Sequence, residues 1–238
     1  MPNPHARDEG YDYPLAHVLE LLTGAANYNA YLAKTVRQYA RTDQSTLDFG
    51  AGIGTFAIPL HEAGYDITAL EPSDQQRRLL VDRGLATAAM LADLRDQRFD
   101  YIYTLNVLEH IDADQLVLAE LFERLRSNGI LLVYVPAFRA LWTRLDDEAG
   151  HLRRYKRGEL AFKLRNSGFV VENIAYVDCI GFLVALVARL IGGRSGNLSR
   201  ATISIYDTLL FPLSRRLDPI FSRFFGKNLL AVCRKRDT

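Results

Sequence analysis

The sequence predicts an open α/β sandwich built on a parallel sheet, and three observations carry that prediction. From Ser45 onward, short apolar runs alternate with helical ones, the order that makes βαβ units. A glycine-rich stretch, LDFGAGIGTF, stands at the first strand-to-helix turn. Three more glycines, Gly64, Gly84 and Gly129, fall where helix C-caps would end the crossovers.

Each element follows in order. Residues 13 to 40 read as helical, with Tyr28, Tyr31, Leu32, Thr35, Val36 and Tyr39 at helical spacing. TLDF is the first strand, TFAIPLHEAG a helix, DITALE the second strand and DQQRRLLVDRG a helix. A short apolar piece at Ala89 to Leu91 precedes the strand FDYIYTLNV, the helix DADQLVLAELFERLRSNG and the strand ILLVYVP. AFRALWTRLDDEAGHLRRYKR is too long for an ordinary connector, and long loops in compact domains usually serve function. GELAFKLRNSG then reads as a helix, FVVENIAYV as a strand and NLLAVCRKR as the last strand, with an apolar and basic helical segment between those two strands.

Composition bounds the function. The chain has 238 residues, 49% of them apolar, which fits a folded globular protein with a substantial core. A net charge of +1 gives no global pull toward nucleic acid, so a charged partner must be met locally. Cys179 and Cys233 form no CxxC pair, which argues against a zinc site or a disulfide framework and for a reducing cytosol. The N-terminus lacks the apolar core of a signal peptide. The longest uncharged apolar run, Cys179 to Ala188, is about half of the roughly 20 residues that a spanning helix needs.

In LDFGAGIGTF, Gly50, Gly52 and Gly54 permit tight geometry and let a ligand approach bare backbone behind Asp48. A glycine loop alone also makes ordinary turns, but here the second strand ends in Glu71, about 20 residues on, where an acid accepts hydrogen bonds from ribose hydroxyls. Glu71 also suits a helix N-terminal charge before PSDQQ. The spacing GxGxG departs from the dinucleotide GxGxxG, and no Walker lysine is present.

These residues resemble the class I S-adenosylmethionine-dependent methyltransferases, whose first motif is (D/E)xGxGxG. The resemblance covers residues 27 to 178 and returns at FGKNLLAVCRK; it implies a Rossmann-like, seven-stranded, mostly parallel sheet with an antiparallel last strand. It implies a cofactor site of Asp48, Gly50, Ala51, Gly52, Gly54, Glu71, Pro72, Asp93, Leu94, Asn106 and Tyr28. Within it, Glu71 would clamp the ribose, Asp93 would cap the adenine and the motif FDYIYTLNVLEHI would end beside the reacting methyl group. NYNAYL, VLEHI, VPAF and GHLRRY resemble a bacterial type 11/12 subgroup presumed to act on glycans or lipid-linked envelope molecules. Glu109 and His110 resemble part of the ExxEH ligand set of the ubiquinone and small-RNA 2′-O-methyltransferases, but Asn106 replaces its first glutamate, so no metal is expected.

A hydroxyl nucleophile calls for a general base, and His110 and His151 are the candidate catalytic residues. His110 follows the fourth strand at the carboxyl edge, and His151 lies in the long loop after the fifth. His110 also suits a packing role beneath the cofactor, and His151 suits a pairing with Asp146 or Asp147. Trp142, Arg153, Arg154 and Tyr155 are the candidate substrate contacts, because arginines grip acidic or phosphorylated groups; a solvated charge run balanced by Asp146, Asp147 and Glu148 is the alternative. Residues 189 to 227 hold seven basic residues against two acidic ones, interleaved with large apolar ones, so 179–225 suits an interfacial membrane element, a lid or a dimer surface.

The expected organisation is an N-terminal helical segment (1–44), a cofactor-binding core (45–178), an apolar and basic insertion (179–225) and a final core strand (226–238). The expected function is O-methylation of a small-molecule, glycan or lipid-linked acceptor by a cytoplasmic protein, with peripheral contact at the inner membrane face through 179–225. N-methylation, a non-catalytic cofactor-binding sensor and a nicotinamide oxidoreductase stand as rivals; nucleic acid is not expected as a partner. The sequence does not fix the oligomeric state.

Overall fold

A computed structural model describes residues 24–192 and 200–236. The elements are α1 (Ala26–Arg37), β1 (Ser45–Phe49), α2 (Ala57–Glu62), β2 (Asp66–Leu70), α3 (Asp74–Asp82) and β3 (Ala86–Ala88). There follow β4 (Phe99–Leu105), α4 (Asp114–Arg124), β5 (Leu125–Pro136), α5 (Arg144–Glu148), α6 (Arg157–Asn166) and β6 (Val170–Val177). Last come α7 (Cys179–Gly192), α8 (Arg200–Ile205), a π-helical turn (Tyr206–Leu210), α9 (Phe211–Phe221) and β7 (Asn228–Arg234). The part of the expected first helix at residues 13–23 lies outside the described residues.

The strands form one seven-stranded sheet in the order β3-β2-β1-β4-β5-β7-β6. β1 to β5 pair in parallel, and β7 runs antiparallel between β5 and β6. This is the Rossmann-like α/β sheet, with the antiparallel final hairpin that the sequence predicts. Side chains alternate between the two faces with period two. Ile102, Leu131, Val133 and Ala231 enter one core, while Tyr101, Tyr103, Leu132 and Val232 enter the other. Because the chain order reverses at β1, with β2 on one side and β4 on the other, the crevice opens at their carboxyl ends.

Two boundaries differ from the sequence reading. β3 is Ala86–Ala88, ahead of the apolar piece at Ala89 to Leu91, part of which turns instead into a single 3-10 turn (Leu91–Leu94). Gly64 and Gly84 do end helices with positive φ, but Gly129 does not: α4 stops at Arg124, and Gly129 sits inside β5. The reason is a bulge: Phe99 pairs with Leu125, yet Tyr101 pairs with Ile130, so the extra residues loop out along β5. A Cβ on Gly129 would lie 2.8 Å from the Arg126 carbonyl oxygen, a close approach that only glycine tolerates.

The segment between β6 and β7 is largely helical in its described part and is tied to the core by buried acids. Asp218 on α9 accepts the backbone N–H groups of Asp178 and Cys179, capping the start of α7. Asp207, in the π-turn, accepts those of Asn27 and Tyr28, capping α1. Among the described residues, no helix is long and apolar enough to cross a membrane.

Candidate active site

The carboxyl ends of β1, β2, β3 and β4 gather the expected cofactor residues. Gly50, Gly52 and Gly54 all have positive φ, at 85°, 56° and 83°. Their surroundings divide them. A Cβ on Gly50 would stand 2.3 Å from Val107 Cγ2, and one on Gly54 would strike Ile58 and Leu80, so these two glycines serve packing. A Cβ on Gly52 would meet only Gln76 Oε1, at 3.7 Å, so the open side of the loop is at Gly52. Gln76 Oε1 is itself buried without a hydrogen-bond partner among the described residues. A bare backbone under an orphaned oxygen is a cradle shaped for a polar ligand.

Glu71 underpins this loop. Its Oε2 accepts the Gly52 N–H at 2.8 Å and its Oε1 the Ser73 N–H at 2.9 Å. Burial raises its pKa, and the two N–H groups and Arg77 offset part of that. Pro72 beside it is exposed, and Ala51 is buried in the loop. The Asp48 carboxyl is buried, accepts the Tyr103 hydroxyl at 2.8 Å, and is pushed up to about 7 by burial. Asp93 holds the 3-10 turn, its Oδ2 accepting the N–H groups of Ala89 and Met90, while Leu94 is buried. Tyr28, on α1, is half-buried and edge-on to Tyr134 of β5 and Phe211 of the insertion.

Beyond β4, a polar chain crosses the crevice. Asn106, held at φ 57°, donates from Nδ2 to Glu109 Oε1 at 3.2 Å. That carboxyl is fully buried, its Oε2 lacks a partner among the described residues, and burial pushes it up to about 7. His151 Nε2 lies 3.9 Å from Glu109 Oε1, and its Nδ1 lies 2.8 Å from Asp146 Oδ1. The His110 ring meets that of His151 edge-on at 4.7 Å, and burial lowers it to about 4, keeping it neutral.

The long loop delivers His151 because it is pinned at both ends. Ala137 and Tyr155 form a parallel bridge, and the Leu152 N–H donates to the Glu109 carbonyl at 2.8 Å. Here the expected substrate contacts have polar partners within the chain. Arg154 forks onto Asp146 at 2.7 and 3.0 Å, and Arg153 pairs with Asp114 at 2.9 Å. The Tyr155 hydroxyl donates to the same Asp114 at 2.8 Å, and Lys163 reaches it at 2.7 Å. Trp142 Nε1 donates to Asp147 Oδ1, and its ring lines an outer cavity with Arg139 and Arg189. Burial opposes ionisation of Asp146, but the hydrogen bonds from His151 and Arg154 outweigh it and hold the carboxyl well below its usual range.

Sequence reasoning gave no role to Gln76 or Asp114 and treated Asp146 as one of two partners for His151 and one of three acids balancing the basic run. The Ser73–Gln76 spacing is a capping-box signature that marks Gln76, and Ser73 Oγ does accept the Gln76 N–H. Nothing local marks Asp114, whose partners stand 39 to 49 residues further along the chain. For a metal, Glu109, His110 and His151 are the residues that bring ligand atoms together, all within 4.8 Å. Two imidazoles and one carboxylate suit a borderline ion better than magnesium.

Comparisons with known proteins agree with this geometry. Residues 24–174 match the family model described as a methyltransferase domain. A malonyl-[acyl-carrier protein] O-methyltransferase of Hamiltonella defensa is 28% identical over 120 residues, 46% of each chain. A ubiquinone biosynthesis O-methyltransferase of Azorhizobium caulinodans is 32% identical over 97 residues, 37% of this chain and 38% of that one. The matched stretch thus spans under half the length of these curated relatives. A SAM-dependent methyltransferase from Thermotoga maritima has the same fold, with a TM-score of 0.59 at 14% identity, over 92% of this chain and 95% of that one. The chain belongs to the methyltransferase-domain family and has the class I S-adenosylmethionine-dependent fold.

Proposed function

We propose that this protein transfers a methyl group from S-adenosylmethionine to a hydroxyl of a small-molecule, glycan or lipid-linked acceptor, with His151 as general base. When bound, S-adenosylmethionine supplies a sulfonium methyl that is already electrophilic. Gly52, Gln76 and Glu71 are the residues placed to hold it at the carboxyl ends of β1 and β2, with Asp93 beyond β3.

The observation that carries the reading is the Asp146–His151 pair beside Glu109 and Asn106. Asp146, kept ionised by Arg154, accepts from Nδ1, which leaves Nε2 as the acceptor atom, 3.9 Å from Glu109 Oε1. Nε2 would take the acceptor's hydroxyl proton, freeing the oxygen for the methyl group that S-adenosylmethionine would supply as its sulfonium–methyl bond breaks to leave the neutral thioether, and Asp146 would stabilise the resulting imidazolium. A neutral amine acceptor has less need of such a base, which favours oxygen over nitrogen. The two curated relatives, both named as O-methyltransferases, support the same choice.

A second reading rests on the partnerless Glu109 Oε2, which suits a cation shared with His110 and His151. One experiment decides between them: methyl transfer from labelled S-adenosylmethionine to cell-extract acceptors, with calorimetry of cofactor binding alongside. His151→Gln should lower transfer by about 100- to 10,000-fold while cofactor affinity holds within about threefold. Transfer that survives His151→Gln sinks the base assignment. Loss on chelation and recovery with manganese selects the cation reading.

A further inference from the structure

We propose that the outer face of the insertion is a docking surface for an anionic lipid bilayer. On α7, Leu183, Val187 and Leu190 recur along one exposed side, and Leu190 is 76% exposed. The second helical run is continuous from α8 through the π-turn into α9. Along it Ile205, Leu209 and Leu213 stand four apart, a spacing that suits the widened π-turn; Ile220, near the end of α9, is 64% exposed, and Phe224, in the turn that follows, is 70% exposed. Large apolar side chains at this exposure and this regularity mark a contact face rather than scattered surface residues.

Charge selects the occupant. The only acids between residues 189 and 227 are Asp207 and Asp218, and both are buried, capping α1 and α7. Arg215 pairs with Asp218 and lies over the Tyr31 ring, while Arg216 and Arg223 remain exposed beside the stripe. Among its described residues this segment therefore shows solvent only apolar, neutral polar and positive groups, the pattern of an interfacial element on anionic headgroups. A second copy of the chain fits less well. A two-fold contact through this face would set arginines against their symmetry mates, with no exposed acid of the segment to answer them.

α7 also abuts the loop that carries His151. Phe182 on α7 packs edge-on to Phe138, at the start of the loop that carries His151, with ring centroids 5.2 Å apart. The docking surface does not depend on the acceptor's identity, but it would bring that loop to the bilayer surface.

Flotation of the full chain with phosphatidylglycerol vesicles and with phosphatidylcholine vesicles tests this. Binding to phosphatidylglycerol should exceed binding to phosphatidylcholine by at least about tenfold and should fall with added salt. The Ile220→Asp/Phe224→Asp pair should weaken it by at least about tenfold. Arg216→Glu/Arg223→Glu should do the same and flatten the salt dependence. Calorimetry with S-adenosylmethionine on each variant, with affinity held within about twofold, shows that the fold is intact. A chain that binds S-adenosylmethionine but not phosphatidylglycerol vesicles overturns this inference alone and leaves the methyl-transfer reading in place. Vesicle binding indifferent to both variant pairs overturns it as well, as does a dimer in light scattering that the apolar pair dissociates.

Discussion

Replacing Asp48 by Asn tests the electrostatics beneath the glycine loop. Burial is the main force raising the Asp48 carboxyl to about 7; the Tyr103 hydroxyl offsets part of the rise and the Glu71 charge adds to it. A raised value means that the native state holds the proton more tightly than the unfolded chain does. The associated stability is complete below the ordinary 3.8 and is lost as pH climbs through about 7. The gap corresponds to about 4 kcal/mol in the limit, of which about 3 kcal/mol falls between about pH 4.5 and about pH 8. Asn keeps an oxygen for the Tyr103 hydroxyl and never ionises. Urea unfolding of both proteins across that range should show the variant gaining on the wild type by about 3 kcal/mol as pH rises. A difference that stays level within about 1 kcal/mol would refute the argument, because a solvated or well-paired Asp48 gives no slope.

The three glycines should separate by assay. Gly50→Ala must push Val107 aside as well as hold a positive φ, so it should cost about 2 to 5 kcal/mol of stability. Gly52→Ala meets only Gln76 Oε1, at an ordinary 3.7 Å contact, and should cost only about 1 to 2 kcal/mol, yet its methyl group enters the cradle and should weaken S-adenosylmethionine binding at least about tenfold in calorimetry. Equal effects of the two on binding would remove the distinction. Glu71→Ala should weaken cofactor binding by about 1 to 3 kcal/mol, and an unchanged affinity takes Glu71 out of the site.

The alternation that defines the sheet was open to sequence reading because it is local: period-two runs bounded by turn residues need no tertiary information. The glycine loop and Glu71 were legible for the same reason, each at a strand end fixed by its own flanking pattern. The start of β5 was not. LRSNG has no apolar alternation, and it joins the strand because Phe99, far back in the chain, pairs with Leu125. The partners of the basic cluster were hidden for a similar reason. A run such as HLRRYKR advertises charge, but Arg153 and Arg154 find Asp114 and Asp146 only after the loop folds back.

The buried acids connect the site to the surface. Asp146 is kept ionised in a nearly dry setting by Arg154, and that charge is what orients His151 as an acceptor. Asp114 gathers Arg153, Tyr155 and Lys163, which fixes the far end of the same loop. Asp207 and Asp218 cap two helices and, by turning inward, leave the insertion's outer face without a negative group. Each inward turn trades solvation for backbone or guanidinium partners, which is tolerable only because every one of these carboxylates has at least two. The same placement therefore does two jobs: it sets the tautomer of the proposed base, and it leaves arginine as the only exposed charge on the helices beside it.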